Sequence, residues 1–156
     1  MSIYKFQLFA DYHQVYIMDE QSDDDTGEIW SEFASDIHLA IAKNTLAIGT
    51  YRNVTVPFEV EIVKEKPQIN LDKWDHVSKG YFSVASGKCS VFGCTDYVPD
   101  AKIISIPIGN YSVYSLAKGL NTIKTEWEDA EDYYKVIMWL SNKKEHNLIK
   151  KYDIKT

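Results

Sequence analysis

The sequence lacks the short motifs that mark most catalytic and metal sites. It has no C-x-x-C and no H-E-x-x-H, and it also has no G-x-S-x-G, Walker phosphate loop or G-x-G-x-x-G. These absences argue against the common zinc, nucleotide and serine-hydrolase sites. They favour a binding protein over an enzyme, and they give no reason to expect a cofactor.

Cysteine is also scarce, with only Cys89 and Cys94 among 156 residues. If both lie in one strand, an extended backbone separates their Cα atoms by roughly 16 Å. A disulfide spans at most about 7 Å between Cα atoms. The sequence therefore predicts two free, buried thiols, as is usual in a reducing compartment.

Long apolar runs and excess positive charge are both missing. The first apolar stretch meets Asp11 too early for a signal peptide, and no later run approaches the length of a membrane span. A cytosolic protein with no membrane partner is expected. The net charge of -6 disfavours nucleic acid, whose phosphates attract lysine and arginine, and suits a basic protein partner.

The composition indicates one globular domain. Hydrophobic residues make up 45% of the chain, and the 11 Tyr, 6 Phe and 4 Trp favour β structure. We expect the domain to span residues 1–140 and a lysine-rich tail to span 141–156. In that tail Leu148 and Tyr152 have helical spacing, so either a short docked helix or a frayed end is expected.

The clearest strand is predicted over residues 54–63, where apolar and polar residues alternate strictly. Pro57 cannot donate to a ladder and predicts an edge strand or a bulge. Further strands are predicted at 4–18 with a bend at Asp11, at 46–50, 80–85, 89–94, 102–106, 111–116 and 133–140.

The connections between these strands complete the predicted fold. Gly87 predicts a hairpin joining 80–85 to 89–94, and Gly109 with Asn110 predicts another joining 102–106 to 111–116. The best helix candidate lies over 30–37, and residues 69–77 fit a helical turn or a loop. Eight or nine short strands predict a mainly antiparallel β-sandwich with one short helix.

Several side chains are candidates for ligands or catalysts. One alternative ligand site comprises Asp11, His13, Asp96, Tyr97 and Asp100. The cluster Asp11, Tyr12 and His13 could form an acid–base pair, or a metal site together with Asp75 and His76. Asp11, Asp19, Asp96 and Asp100 could hold calcium if these loop ends converge. Aspartate is also common in turns because it bonds its own backbone, and no ligand spacing supports a metal. Cys94 beside Thr95 and Asp96 is interpreted as structural.

Two acidic segments are candidates for a partner surface. The first surrounds one tryptophan and comprises Glu126, Trp127, Glu128, Asp129, Glu131 and Asp132. The second comprises Asp23, Asp24, Asp25 and Glu28, in a stretch interpreted as a solvated loop. Trp127 would either fold back as a lid or stand exposed as a binding hot spot.

The chain resembles a set of small bacterial proteins from about Ile3 to Leu140. The shared stretches are L-F-A-D-Y-H-Q at 8–14, G-T-Y-R-N-V-T-V-P at 49–57, G-C-T-D-Y-V-P-D-A at 93–101, G-N-Y at 109–111 and D-Y-Y-K-V-x-x-W at 132–139. It is more distantly similar to the ComJ-type nuclease inhibitors, through Y-H-Q at 12–14, T-V-P-F at 55–58 and a late glycine-tyrosine strand. A longer middle section and the basic tail depart from that pattern.

The resemblance implies an inhibitor or immunity protein that neutralises a nuclease toxin, the pairing found in toxin–antitoxin systems and contact-dependent growth inhibition. A nuclease site is basic because it binds phosphate, so an acidic inhibitor suits it. The alternative is a β-sandwich that binds a sugar or calcium.

Overall fold

The computed structural model describes residues 2–153, which form eleven strands and one α-helix. The strands are β1 (Ser2–Phe9), β2 (Gln14–Asp19), β3 (Leu39–Ala42), β4 (Thr45–Gly49), β5 (Thr55–Ile62), β6 (His76–Val84), β7 (Lys88–Gly93), β8 (Lys102–Ser105), β9 (Gly109–Lys118), β10 (Tyr133–Leu140) and β11 (Asn147–Lys150). The helix α1 is Glu32–Ile37. It is six residues long, and no described helix has the length and apolarity needed to cross a membrane.

The strands form two sheets packed as a sandwich. One sheet has the order β1-β5-β10-β9-β6-β11 and the other β3-β4-β2-β7-β8. The pairings are antiparallel except for the parallel pair of β5 and β10. Apolar residues from both sheets meet between them in the main core. The predicted mainly antiparallel β-sandwich with one short helix is confirmed.

Strand β5 has the predicted alternation but not the predicted position. Val56, Phe58 and Val60 are buried in the core. The strand lies between β1 and β10, so the prediction of an edge strand was wrong. The proline is tolerated because the ladder with β10 begins at Phe58, one residue after Pro57, and Pro57 faces only Gln7 of β1.

The two predicted hairpins are connections between sheets. Strand β6 belongs to the six-stranded sheet and β7 to the five-stranded sheet, and β8 and β9 are divided in the same way. Three extended residues span roughly 10 Å, which is the spacing of packed sheets. The short turns at 85–87 and 106–108 are therefore long enough to cross the sandwich.

Asp19 at the end of β2 stabilises the first of these crossings. Its Oδ2 accepts the backbone N–H of Ala85 at 2.5 Å and of Ser86 at 3.0 Å. Burial opposes its ionisation, but these bonds and one from Gln21 outweigh burial and lower the pKa of Asp19. Asp19 is thus structural, and the stretch from Asp19 onward is only partly the solvated loop predicted.

The outer face of each sheet is covered by a non-strand segment. Trp74, from the stretch whose structure the sequence left open, packs on the six-stranded sheet against Leu116 and Trp139. Helix α1 and Trp30 cover the other sheet. The helix begins where the Ser31 hydroxyl accepts the N–H of Ala34, as an N-cap should.

Residues near the C-terminus add an edge strand instead of a helix. Strand β11 pairs with β6, and Glu145 just before it binds the buried Lys79 at 2.7 Å. Pairing with β6, whose edge would otherwise be open, gives the backbone groups of β11 hydrogen-bond partners. The predicted helix would have gained only one side-chain contact, between Leu148 and Tyr152.

The two thiols are free, as predicted. Cys89 is buried, as predicted. Cys94 is only partly buried, so the prediction of a buried thiol was wrong for this residue. Burial raises the pKa of Cys89 to about 12, so this thiol stays protonated at neutral pH.

Candidate protein-binding rim

The turn Asp11–His13 between β1 and β2 is held in an unfavourable backbone conformation. Tyr12 and His13 have φ of 56° and 62°, the left-handed region that side chains with a Cβ rarely occupy. The His13 N–H donates to the Ala10 carbonyl at 3.0 Å, and the Thr50 N–H donates to the His13 carbonyl at 2.9 Å. The turn presents Tyr12 to solvent, with 68% of the residue exposed.

Residues 123–132, here called the Trp127 loop, dock beside this turn. Glu126 Oε1 lies 2.5 Å from His13 Nε2. Trp127 is 79% exposed, so it does not fold back as a lid. Glu128, Asp129 and Glu131 are also exposed.

A buried ion pair anchors the Trp127 loop from below. Arg52 donates to both carboxylate oxygens of Asp132 at 2.6 to 3.1 Å, and to the Glu128 carbonyl at 2.8 Å. The hydroxyl of Tyr134 donates to Asp132 and accepts the Tyr51 N–H. The bonds to Asp132 raise the pKa of Arg52. Asp132 is therefore scaffold, although the sequence placed it on the partner surface.

A third segment joins the other side of the turn. Thr95 Oγ1 donates to Asp11 Oδ2 at 2.9 Å, and Asp96 Oδ2 accepts the Gly93 N–H at 2.7 Å. A Cβ at Gly93 would overlap the Phe9 carbonyl, so glycine permits this close approach of β7 to β1. Tyr97 is 70% exposed. We call Asp11–His13, residues 95–97 and the Trp127 loop together the rim.

The rim unites two groups that the sequence had kept apart. Asp11, His13, Asp96 and Tyr97 were predicted as a ligand site, and the Trp127 loop as a partner surface. Asp100 follows nearby in the short helix Val98–Asp100 and is exposed. The rim carries the exposed rings of Tyr12, Tyr97 and Trp127 among carboxylates.

The second acidic segment lies elsewhere. Asp24 Oδ2 accepts the Asn44 N–H and the Thr45 hydroxyl, both at 2.8 Å, near the Asp19 end of β2. The rim lies at the Gln14 end, roughly 17 Å away along the strand. Asp25 caps the Gly27 N–H, while Asp23 and Glu28 are exposed. Asp24 does not extend the acidic face of Trp127, because its carboxylate binds Asn44 and Thr45. A partner-binding role for Asp23, Asp25 and Glu28 stays a prediction.

The candidate metal ligands have other partners. Asp75 accepts the Leu120 N–H, and His76 Nε2 contacts the Ile37 carbonyl at 2.8 Å. Burial lowers the pKa of His76 to about 4, so the ring is neutral at pH 7. Across residues 2–153, no group of three or more His, Cys, Asp or Glu side chains could hold a metal ion.

Sequence reasoning missed Arg52 and the rings near Tyr12. Arg52 is the only arginine, the other sixteen basic residues being lysine. A single arginine among lysines could have indicated a buried pair with a carboxylate, because only arginine binds a carboxylate with a planar fork. His38 and Tyr51 stack with centroids 4.2 Å apart, and no sequence spacing indicated that contact.

Comparison with known proteins gives a result at the level of structure alone. No family model matches the chain, and no curated protein matches it in sequence. One similar solved structure is ComJ from Bacillus subtilis, an inhibitor of the DNA degrading activity of NucA, with a TM-score of 0.66 and 13% identity over 90% of this chain and 96% of that one. Another is the protein of crocagin biosynthetic gene J, with a TM-score of 0.62 and 10% identity over 90% of this chain and 98% of that one. The chain thus shares its fold with ComJ, and the distant resemblance is confirmed.

Proposed function

We propose that this protein is a non-catalytic inhibitor or immunity protein that binds a basic nuclease toxin in the cytosol through its rim. The observation that carries the proposal is Trp127, a large ring left 79% exposed on a loop anchored by a buried ion pair. An exposed aromatic residue on a rigid support is typical of a binding hot spot. The fold shared with a nuclease inhibitor supports the choice of partner.

The charge of the rim supports a basic partner. Glu126, Glu128, Asp129 and Glu131 flank Trp127 along the loop, and Asp132 is already neutralised by Arg52. A nuclease site concentrates lysine, arginine or metal ions to bind phosphate. Carboxylates at the edge of a contact accelerate association with such a site, and the central ring supplies most of the affinity.

The binding partner for the test is the cognate nuclease, sought first among the genes adjacent to this one. Trp127→Ala should weaken binding by about 2 kcal/mol or more, roughly thirtyfold in Kd, with an unchanged melting temperature. The matched control is Ile108→Ala, since Ile108 is 67% exposed at the end of β9 remote from the rim. Wild-type affinity in Trp127→Ala, or nuclease activity of the protein itself, would contradict the proposal.

A second pair of variants tests the charge. Asp129→Lys should slow association and flatten its salt dependence, because it removes attraction at the rim. Glu65→Lys changes the net charge equally at an exposed site beyond the opposite end of β5. Equal slowing in both variants would show that the overall charge acts and that the rim has no special role.

A further inference from the structure

A cavity of about 450 Å³ opens beside the Asp11–His13 turn. Its size lies within the range of small-ligand sites. Four of its nine lining residues are the aromatic residues Tyr12, Trp30, His38 and Tyr51. The remaining lining residues are His13, Gln14, Ser35, Gly49 and Thr50.

The rings of this cavity are held in place. His38 and Tyr51 stack with an interplanar angle of 6°, and the Trp30 indole N–H donates to the Tyr16 hydroxyl at 3.4 Å. A Cβ at Gly49 would lie 3.1 Å from His38 Cα, so the glycine lets the imidazole approach β4. A wall fixed in this way is organised before any ligand arrives.

The electrostatics of the cavity favour a cation. Burial lowers the pKa of His38, which leaves this ring neutral at pH 7. The other imidazole of the wall, His13, is paired with Glu126. Asp11 belongs to the same turn, and the exposed Asp36 follows Ser35 at the wall. The nine lining residues include no carboxylate, and these two adjoin them in sequence.

Tyr12 supplies a second, independent observation. It adopts φ of 56°, where glycine would be unstrained, yet 68% of the residue is exposed and adds little to the core. Strain kept at an exposed aromatic residue is characteristic of functional sites. The fold alone does not require a ring at this position.

We propose that the cavity formed by Tyr12, Trp30, His38 and Tyr51 receives an arginine side chain of the partner protein. A planar guanidinium stacks on aromatic faces, and the neighbouring carboxylates complement its charge. That the arginine comes from a nuclease rests on the function proposed above. The affinity of the cavity for an arginine side chain does not rest on it.

Binding of arginine can be measured by NMR without a partner protein. The four tryptophans give four indole N–H signals, and Trp30 lines the cavity. N-acetyl-arginine amide is titrated into the full chain, and N-acetyl-citrulline amide serves as its neutral isostere. The signal of Trp30 should shift with arginine, with about fivefold weaker binding of citrulline. The signals of the buried Trp74 and Trp139 should stay in place.

Tyr12→Gly removes one wall while relieving the left-handed strain. It should weaken arginine binding by about fivefold or more and leave the melting temperature equal or higher. Phe33→Ala is the matched control, since it removes an exposed ring that belongs neither to the cavity nor to the rim. This control should bind arginine as the wild type does.

The outcomes separate the two proposals. An unmoved Trp30 signal, equal binding of citrulline, or full binding by Tyr12→Gly overturns the arginine site even if the protein inhibits a nuclease. Arginine binding that Tyr12→Gly removes supports the site, and it does so even where no nuclease is inhibited and the proposed function fails.

Discussion

Replacing Arg52 by methionine should destabilise the protein by about 3–5 kcal/mol, because the buried Asp132 carboxylate loses its cation. The two side chains are 7% and 0% exposed, so water cannot replace the lost partner. Methionine retains a flexible apolar stem and removes every donor. Since domains are stable by only about 5–15 kcal/mol, the expected loss is a large share of the total.

The same substitution should loosen the Trp127 loop, because Arg52 also donates to the Glu128 carbonyl at 2.8 Å. Amide hydrogen exchange across residues 123–132 should become faster, beyond the change in the core strands. If the proposed function is right, binding of the nuclease partner should weaken as well, although Arg52 and Asp132 are both buried.

Urea denaturation of a double-mutant cycle measures the effect. Asp132→Asn in the Arg52→Met background removes the unpaired charge and should recover part of the lost stability, giving a coupling energy of about 2 kcal/mol or more. Lys124→Met, at an exposed lysine of the same loop, is the control and should change stability by less than about 0.5 kcal/mol. A loss below about 1 kcal/mol for Arg52→Met, or strict additivity, would show that the buried pair does not stabilise the fold as expected.

Two further predictions concern buried titratable groups. Burial lowers the pKa of His76 from its ordinary 6.5 to about 4, so the folded state binds a proton on this ring less readily than the unfolded state does. Its contribution to the free energy of unfolding, roughly 3 kcal/mol, is complete above pH 6.5 and decreases as the pH falls toward 4. His76→Gln should flatten stability measured between pH 6.5 and 5, and an unchanged slope would assign it to other groups. A thiol reagent should label Cys94 slowly in the native state and Cys89 only after unfolding, because Cys89 is buried and Cys94 is partly exposed. Cys94→Ser should therefore abolish labelling of the native protein. Rapid reaction of both thiols would contradict this burial.

Local patterns in the sequence determined which residues form strands. The strict alternation after Val54 and the apolar run at 133–140 correspond to β5 and β10. Alternation and turn chemistry act between neighbours along the chain, so they can be recognised without knowing the fold. The acidic setting of Trp127 was visible for the same reason.

Which strands share a sheet is visible only in the folded chain. A three-residue turn can fold a strand back beside its predecessor or carry the chain across the sandwich, and Gly87 suits both paths. The choice depends on partners distant in sequence, such as Asp19, whose carboxylate binds the backbone of residues 85–86. The place of β5 inside its sheet depended in the same way on β10.

The rim also exists only in the folded chain. From the sequence alone, Tyr12, Tyr97 and Trp127 are each seen to follow an acidic residue directly. Their assembly at one end of the sandwich follows from the pairing of β2 with β7, from the contact of His13 with Glu126, and from the buried bond of Arg52 to Asp132. Each of these contacts joins residues at least seventy positions apart, a separation at which sequence periodicity carries no information about distance in space.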